Sequence, residues 1–440
     1  MTTIITTNPY SGEKIGQYEE HNDTKVTEII SSVRSAQSTW KRDLEDRIEY
    51  LKNILKPNLS RKREELARLM TTEMGKPISQ SLSEIDKCLN LLDYAVKNYP
   101  AFLEPEPVKT EGIKTYVRFD PLGTVLLVMP WNFPLWQVMR AAVPAMLAGN
   151  GIILKHASIV TGSSLLIEEI FENEAFRSVI VSGSRVSSII PKVDGVSLTG
   201  STSAGKSVAQ EAGKHLKKVV LELGGSDPFI VLRSADLNEA AEKAVFARLQ
   251  NNGQSCIASK RFIVHEDVMD EFVEKISRRF SSVKIGDPLD RDTFLGPLSS
   301  SGQTNTVLSQ VQDLSKIGRI RKFGEEQGGI VPPTIALLDG KYEEEVFGPV
   351  AIVSKYGNSE EAIRLANDTP YGLGSSIWGS YEEAEELIPH IEAGRVYVNK
   401  VVASDPRVPF GGVKQSGIGR ELSKFGLREF TNVKTVWIDH

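Results

Sequence analysis

The stretch "VSLTGSTSAGKSVAQEAGKHLKKVVLELGG", residues 196–225, combines an apolar run, a glycine turn, a helical segment and a second apolar run. Further apolar runs lie on either side of it, several of them separated by helical segments: "TVLLVMP", "GIILK", "SVIVSG" and "FIVLR". Short apolar strands that alternate with helices indicate a parallel sheet covered on both faces. Such a sheet binds ligands at the carboxyl ends of its strands. We therefore predict an α/β fold with a ligand site at that edge.

Within this stretch, "GSTSAGKS", Gly200 to Ser207, matches the pattern G-x-x-x-x-G-K-S/T of the phosphate-binding loops in nucleotide hydrolases. A loop of that class also needs a magnesium ion held by an Asp at the end of another strand. The nearest candidate, Asp236, follows the run "FIVLR" at a distance that matches poorly. The motif alone leaves two alternatives, a turn that cradles a phosphate at a helix N-terminus and a tight turn formed by Gly200 and Gly205.

The composition narrows the class of protein. The chain has 440 residues, 40% of them hydrophobic and 25% charged, which is enough for two or three domains with substantial cores. Its 52 Lys and Arg are interspersed among 57 Asp and Glu, so we expect no nucleic-acid partner. The first residues lack a positive segment followed by an apolar core, and no apolar run reaches the about 18 residues of a membrane span. These features predict a cytoplasmic protein that binds no membrane.

The two cysteines are Cys88 and Cys256. Because the sequence has no C-x-x-C pair and no H-E-x-x-H spacing, we predict neither a disulfide scaffold nor a metal site. Cys88 falls in the helical stretch "SEIDKCLNLLDYAV" and is interpreted as a small buried hydrophobe. The periodic, charged segments between residues 23 and 98 predict further amphipathic helices that serve packing.

Six stretches carry a family resemblance: "VMPWNFPLWQVMR" (128–140), "LTGSTSAGK" (198–206), "LELGGSDPFIV" (221–231), "NNGQSCIASKRF" (251–262), "EEVFGPV" (344–350) and "PFGGVKQSGIGREL" (409–422). In this order and spacing they resemble the signatures of the NAD(P)-dependent aldehyde dehydrogenase superfamily, over nearly the whole chain. The resemblance implies a Rossmann-like parallel-sheet cofactor domain, an α/β catalytic domain and a small β oligomerisation element. It also implies that "GSTSAG" is the dinucleotide-binding turn and that the "GKS" continuation is coincidental.

The main domain boundary is predicted near Gly224 and Gly225. With the resemblance, residues 1–110 and 122–224 form the NAD(P)-binding domain and residues 225–422 the catalytic domain. The alternating segments "IKTYVRFDPLG" and "FTNVKTVWIDH" fit neither unit and predict strands. We assign residues 111–121 and 423–440 to these strands, and expect them to extend a sheet into a neighbouring subunit of a homodimer or homotetramer.

An aldehyde gives up a hydride only after a nucleophile has formed a tetrahedral adduct, and a thiolate is intrinsically strong. The resemblance assigns this role to Cys256, in a segment where Gly253 predicts a bend; alone, such a cysteine is most often inert. It implies that Asn132 and the Cys256 N–H stabilise the oxyanion, whereas Asn132 could also cap a helix that begins at Pro134. It implies that Glu222 is the general base, although an isolated strand-end Glu is usually solvated.

The resemblance also implies a site for NADP or NAD. Lys155 matches the lysine that reaches the adenosine ribose. NAD-specific relatives typically carry a Glu three residues later, and this chain has Ser158 there, which removes a charge that repels a 2′-phosphate. We therefore expect NADP to be preferred. The implied cofactor residues are Trp131, Lys155, Ser158, Gly200, Ser201, Gly205, Gly224, Glu345 and Phe347.

Phe133, Gln137 and Arg140 are spaced by four and three residues, which puts them on one helix face. In the resembling family this face lines the substrate tunnel, and Arg140 resembles an arginine with which succinate-semialdehyde dehydrogenases bind a distal carboxylate. A guanidinium suits that bidentate contact. The alternative is a structural ion pair. The loop "VVASDPRVPFGG" is expected to add Ser404 and Arg407 to the pocket.

Two positions depart from the resembling pattern. Gln250 stands where some succinate-semialdehyde enzymes have a second arginine, and Ala141 stands where many relatives have a lysine. The leading prediction is an aldehyde dehydrogenase that oxidises a short, carboxylate-bearing aldehyde, succinate semialdehyde. The alternative in the same class is a broad-range or glyceraldehyde-type dehydrogenase. A P-loop ATPase, the alternative from another class, predicts magnesium-dependent phosphate release.

Overall fold

The computed structural model describes residues 2–338 and 340–440. The α-helices in these ranges are α1 (Asp23–Trp40), α2 (Leu44–Tyr50), α3 (Lys56–Arg61), α4 (Arg63–Met74), α5 (Ile78–Leu103), α6 (Trp136–Leu147), α7 (Thr161–Phe171), α8 (Thr202–Lys214), α9 (Leu237–Leu249), α10 (Met269–Ser281), α11 (Ser301–Ile317), α12 (Ser359–Asn367), α13 (Tyr381–Leu387) and α14 (Ser423–Glu429). The strands are β1 (Thr3–Thr7), β2 (Lys14–Glu19), β3 (Glu106–Pro107), β4 (Lys114–Pro121), β5 (Thr124–Met129), β6 (Gly151–His156), β7 (Phe176–Ser178), β8 (Gly195–Thr199), β9 (Lys218–Glu222), β10 (Asp227–Val231), β11 (Ser259–His265), β12 (Gly318–Lys322), β13 (Thr334–Leu338), β14 (Val350–Tyr356), β15 (Tyr371–Gly372), β16 (Ser375–Trp378), β17 (Val396–Val398), β18 (Val413–Lys414), β19 (Gly417–Ile418) and β20 (Thr431–Ile438).

Six strands form the first sheet, in the order β19-β9-β8-β5-β6-β7. Strands β5 to β9 are parallel, and β19 pairs antiparallel at the edge, with Gly417 opposite Glu222. Along β5, Val125 and Leu127 join an apolar cluster with α5, α6 and α7, whereas Leu126 joins another with α1 and α8. Helices thus cover both faces, which is what the continuous apolar runs predict.

Seven strands form the second sheet, in the order β12-β13-β14-β11-β10-β16-β17. All pairs are parallel except β12 with β13. In β10, Phe229 and Val231 pack with α9 and α10, while Ile230 packs with α12 and α13. The predicted α/β fold class with a parallel sheet is therefore confirmed, and each sheet has its own core.

The chain passes from the first sheet to the second between Glu222, the last residue of β9, and Asp227, the first residue of β10. It rejoins the first sheet at β19. The functional division into domains stays a prediction, and its boundary at residue 422 lies after the point where the chain rejoins the first sheet. This double crossing brings the carboxyl end of β9 to the junction of the two sheets.

A small third sheet has the order β20-β4-β3. Strands β4 and β20 pair antiparallel from Lys114 opposite Ile438 to Pro121 opposite Thr431, so both predicted strand segments contain a strand. The segment 423–440 is not strand throughout, because Ser423–Glu429 forms the helix α14; that part of the prediction is wrong. Leu427 of α14 packs into the apolar cluster that includes residues of α5 and α6.

The helices predicted between residues 23 and 98 are present, and Cys88 is fully buried in α5 as predicted. The hairpin of β1 and β2, which the sequence pattern did not indicate, precedes them. Within residues 2–338 and 340–440, no helix is both long and apolar enough to cross a membrane.

Candidate active site

The loop that carries Cys256 begins with a tight bend. Gln250–Gly253 forms a 3₁₀ turn in which φ is +56° at Asn251 and +57° at Asn252, the left-handed region that asparagine tolerates better than most residues. Asn251 Nδ2 donates a hydrogen bond of 2.6 Å to the carbonyl oxygen of Asn132. The predicted bend is confirmed, and it ties the loop to the segment before α6.

Cys256 is half-buried and lines a cavity of about 340 Å³ between α5, α6 and the loop at residues 401–404. A Cβ atom at Gly225 would lie 2.7 Å from the carbonyl oxygen of Cys256. Glycine therefore allows the segment between β9 and β10 to approach the cysteine loop closely. Burial raises the pKa of the Cys256 thiol, and the cations of Arg140 and Lys260 act in the opposite direction. A neighbouring positive charge therefore favours the thiolate that a nucleophile requires.

Asn132 is buried, and its Nδ2 donates to the carbonyl oxygen of Gln254, two residues before the thiol, at 3.1 Å. It does not cap the following helix. Helix α6 begins at Trp136, and Glu84 Oε1 accepts hydrogen bonds from the N–H groups of Leu135 at 2.9 Å and Trp136 at 2.8 Å. The capping alternative is therefore wrong, because Glu84 accepts the N–H groups at the start of α6. The amide of Asn132 faces the cysteine loop instead.

Glu222 ends β9 and is only 2% exposed, so the solvated-surface alternative is wrong. Among the described residues, neither carboxylate oxygen has a hydrogen-bond partner. Burial raises the pKa of Glu222 well above its usual value, and the charge of Glu421 adds to this, while Arg140, Arg395 and Arg420 oppose it. Glu222 therefore has a higher affinity for a proton than a solvated glutamate has.

Arg395 lies beside this carboxylate, and sequence reasoning missed it. Its three guanidinium nitrogens are buried and lack hydrogen-bond partners in the described part of the chain. The guanidinium lies 3.6 Å from the ring centroid of Phe410, over which Arg140 also lies at 4.3 Å. Burial lowers the pKa of Arg395, while the charges of Glu222 and Asp227 oppose this effect. No motif signals this residue, because it follows a common glycine in "AGRVYVN".

Arg140 forms the structural ion pair of the second alternative, and its predicted contact with a substrate carboxylate stays a prediction. Its Nε pairs with the buried Glu421, and its Nη2 donates to Thr199 Oγ1 at 3.2 Å, so the structural ion pair is present. Its side chain also lines the cavity of the thiol, together with Phe133 and Gln137, as the predicted helix face requires. Within the described residues Nη1 has no hydrogen-bond partner, so one donor edge of the guanidinium remains for a ligand.

Lys87 on α5 is a second cation in the same cavity wall, and sequence reasoning missed it because the helix was interpreted as packing only. Its Nζ donates to Ser404 Oγ at 2.5 Å and lies 4.1 Å from the ring centroid of Trp136. Burial lowers the pKa of Lys87 to about 8. Ser404 lines the cavity as predicted. Arg407 does not, because its side chain is 70% exposed and bonds Asp405, so its predicted place in the pocket is wrong.

Four residues implied for the cofactor lie near the segment Leu223–Ser226, which joins β9 to β10: Trp131, Gly224, Glu345 and Phe347. Of these, Glu345 and Phe347 are the ones implied for the nicotinamide ribose. The rings of Trp131 and Phe347 meet edge to face with centroids 5.7 Å apart. Glu345 Oε1 lies 3.1 Å from Lys260 Nζ, which holds the carboxylate. A Cβ at Gly224 would lie 2.5 Å from Glu345 Oε2, so glycine leaves the carboxylate room at this point.

The residues implied for the adenosine and pyrophosphate end lie at the carboxyl ends of β6 and β8. Lys155 is 6% exposed, and burial lowers its pKa. Ser158 begins the next turn. Ser201 caps α8, and its Oγ accepts the N–H of the third residue after it at 3.3 Å. Gly205 packs so closely that a Cβ there would lie 2.4 Å from Leu223. These groups lie along one edge of the first sheet. In the described residues no cluster of His, Cys, Asp or Glu is arranged to hold a metal ion.

Known proteins are similar to this chain in sequence and in fold. The chain is 42% identical over 454 aligned residues, 99% of each chain, to a Mycobacterium bovis protein named succinate-semialdehyde dehydrogenase (NADP(+)) 1. It is equally similar, 42% over 453 residues and 99% of each chain, to a Synechocystis protein named probable succinate-semialdehyde dehydrogenase (NADP(+)). The crystal structure of succinic semialdehyde dehydrogenase from Streptococcus pyogenes in complex with NADP+ matches with a TM-score of 0.96 and 37% identity, over 99% of this chain and 100% of that one. The model of the aldehyde dehydrogenase family matches residues 1–436, so the chain belongs to the aldehyde dehydrogenase family.

Proposed function

We propose that the protein oxidises succinate semialdehyde to the acid, with NADP+ preferred over NAD+. The observation that carries the proposal is the cavity of Cys256, where a thiol shares a volume of about 340 Å³ with two cations, Arg140 and Lys87. This size suits a small substrate, and the cations suit one with a negative charge at the far end from the aldehyde. The names of the relatives from Mycobacterium bovis and Synechocystis support the same substrate and cofactor.

In the first step the Cys256 thiolate attacks the aldehyde carbon, a C–S bond forms and the carbonyl oxygen becomes an oxyanion. Asn132 Nδ2 and the Cys256 backbone N–H are the proposed donors to that oxygen. Losing one such donor typically costs about 3 to 4 kcal/mol of transition-state stabilisation. The hydrogen bond from Asn132 Nδ2 to the carbonyl oxygen of Gln254, at 3.1 Å, supports this role because it holds the amide against the loop that carries the thiol.

Bound NADP+ supplies the acceptor for the hydride that leaves the adduct. The residues that would hold it are those at the sheet edge. Lys155 is a nearly buried cation for which no ion pair or hydrogen bond is found in the described chain, a fit for a polar ligand group. Ser158 presents no carboxylate to a 2′-phosphate, so Lys155 and Ser158 together favour NADP+ over NAD+.

The remaining acyl group is a thioester of Cys256, and water must attack it. Glu222 is the proposed base: it removes a proton from the water, a C–O bond forms, and the thiolate leaves as the C–S bond breaks. The raised pKa of Glu222, caused mainly by burial, supports this role because it means that the carboxylate binds a proton more tightly than an ordinary glutamate does. The acid product departs and Glu222 releases the proton to water, which returns the protein to its starting state.

One set of assays tests the proposal. kcat/KM is measured for succinate semialdehyde and for butanal, an uncharged aldehyde of equal length, with NADP+ and with NAD+. We expect succinate semialdehyde with NADP+ to be the best combination, and Cys256→Ala to abolish NADPH production while cofactor binding persists. Equal kcat/KM for both aldehydes would favour the broad-range or glyceraldehyde-type alternative, and NADPH production by the Ala variant would remove Cys256 from its role.

The quaternary structure belongs to the same proposal. We propose a homodimer or homotetramer that uses the sheet of β4 and β20 as its contact. Val433 and Trp437 lie on the same face of β20, four residues apart, and are 61% and 47% exposed. Exposed large apolar side chains on one strand face mark a surface that a partner can cover. A monomer at micromolar protein concentration in analytical ultracentrifugation would contradict this. The cytoplasmic location stays a prediction.

A further inference from the structure

We infer that Lys87 supplies the net positive charge that binds the distal carboxylate of the substrate, and that Arg140 contributes only a directed hydrogen bond. The inference rests on the proposed function, because it concerns how the same cavity recognises its substrate. It reverses the expectation from the sequence, in which Arg140 carries the charge and Lys87 has no role.

The charges in the cavity wall carry the inference. Two of the three charged side chains there are already neutralised: Glu84 pairs with Lys76, and Arg140 pairs with Glu421. Lys87 forms no ion pair within the described residues; its Nζ contacts a hydroxyl and an aromatic ring. The wall therefore has one uncompensated positive charge, and it lies on Lys87. A buried charge without a counter-ion is unfavourable, and a carboxylate that enters the cavity relieves that cost.

The position of the ammonium is fixed on two sides. Ser404 Oγ accepts a hydrogen bond of 2.5 Å from Lys87 Nζ, and the ring centroid of Trp136 lies 4.1 Å from the same nitrogen. An ammonium has three donors, so two remain for a ligand. Ser404, Trp136, Lys87 and Arg140 all line the cavity that contains Cys256. A carboxylate bound there receives hydrogen bonds from two kinds of cation.

The protonation of Lys87 sets a pH limit on this binding. Burial lowers its pKa to about 8; the nearby Arg140 lowers it further, whereas Cys88, Glu84 and Asp405 raise it. A lysine with a lowered pKa is charged below that value and neutral above it. The affinity for an anionic substrate therefore falls as the pH rises above about 8, while the affinity for an uncharged aldehyde does not.

The test compares Lys87→Met, Lys87→Arg and the matched control Lys97→Met, an exposed lysine on the same helix. Lys87→Met should raise KM for succinate semialdehyde at least tenfold at pH 7 and leave kcat/KM for butanal within twofold. Wild-type KM for succinate semialdehyde should rise between pH 8 and 9.5, and this rise should be absent in Lys87→Arg, whose guanidinium stays charged. An unchanged KM in Lys87→Met, or an equal loss with both aldehydes, overturns the inference.

A second readout separates this inference from the proposed function. Succinate, which carries the distal carboxylate but is not oxidised, should protect Cys256 from alkylation by iodoacetamide in the wild type and in Lys97→Met. Protection should be at least tenfold weaker in Lys87→Met. If the wild type has the same kcat/KM for butanal and for succinate semialdehyde, the proposed function fails. The protection by succinate still tests the role of Lys87 in that case. Equal protection in Lys87→Met overturns the inference even where the proposed function stands.

Discussion

Replacing Arg140 by leucine removes one half of a buried ion pair and leaves Glu421, which is 4% exposed, as an unpaired carboxylate. Loss of one partner of a buried pair typically costs about 3 to 5 kcal/mol of stability, much of it from the stranded charge. We therefore expect Arg140→Leu to lower the thermal midpoint strongly. The double variant Arg140→Leu/Glu421→Leu leaves no unpaired buried charge, so it should recover most of the lost thermal midpoint.

The double variant is also the right background for substrate recognition, because a folding defect no longer obscures it. If Arg140 Nη1 donates one hydrogen bond to the distal carboxylate, its loss removes about 1.5 to 3 kcal/mol, the range for hydrogen bonds to charged groups. At 1.4 kcal/mol per tenfold, kcat/KM for succinate semialdehyde should fall roughly 10- to 100-fold. Butanal makes no such bond, so its kcat/KM should stay level or rise in the more apolar cavity.

The assay pairs the thermal midpoint at one protein concentration with kcat/KM for both aldehydes, for the wild type, both single variants and the double variant. A fixed concentration matters because association would shift the midpoint. If the double variant keeps the wild-type ratio of kcat/KM between the two aldehydes, Arg140 is a structural residue alone. If the double variant is no more stable than Arg140→Leu, the cost did not come from the stranded carboxylate of Glu421.

Three further variants test the remaining roles. In Glu222→Gln, acylation should survive and deacylation stall, so stopped flow should show a burst of NADPH and little steady state; an unaltered steady-state rate removes Glu222 from the base role. Ser158→Glu should shift the ratio of kcat/KM from NADP+ toward NAD+, and a wild type that already prefers NAD+ strongly contradicts this interpretation. Arg395→Met should slow alkylation of Cys256 at a fixed pH by removing a cation that favours the thiolate, whereas Arg395→Lys should retain the rate. The thermal midpoint of Arg395→Met should fall less than that of Arg140→Leu, because Arg395 loses its contact with Phe410 but no ion pair or hydrogen bond in the described chain.

The fold could be predicted from the sequence largely because its signals are local. Runs such as "TVLLVMP" and "GIILK" became β5 and β6, buried on both faces, since a continuous apolar strand is stable only between two layers. The hairpin of β1 and β2 escaped prediction because its residues are mostly exposed, so no apolar alternation marks it. Helix α14 escaped for a related reason: its seven residues are set by packing Leu427 into the helical core.

The site was predictable only where a role depends on residue type and spacing. The bend before Cys256 and the shared face of Phe133, Gln137 and Arg140 belong to that class. The partner of Arg140 does not, because Glu421 lies 281 positions later in the chain. The same holds for Lys87, whose contact with Ser404 joins residues separated by 317 positions. A helical period gives the face of a residue, whereas its charge balance depends on which distant segments pack against that face.

Two glutamates of this site show why donors decide what a buried carboxylate does. Glu84 accepts two backbone N–H groups at the start of α6 and pairs with Lys76, so each oxygen has a fixed partner. Such a carboxylate is held in place by its donors and serves the structure. Glu222 is equally buried, yet neither oxygen has a partner among the described residues, and its pKa is raised. A base that takes a proton from water must gain a bond to hydrogen that it did not have before, and a carboxylate already saturated with donors gains little from one more. The unmet hydrogen-bonding capacity of Glu222 is therefore the property that would suit it to its proposed role as the base. This property arises from the distant segments that surround β9 rather than from the motif "LELGG" itself.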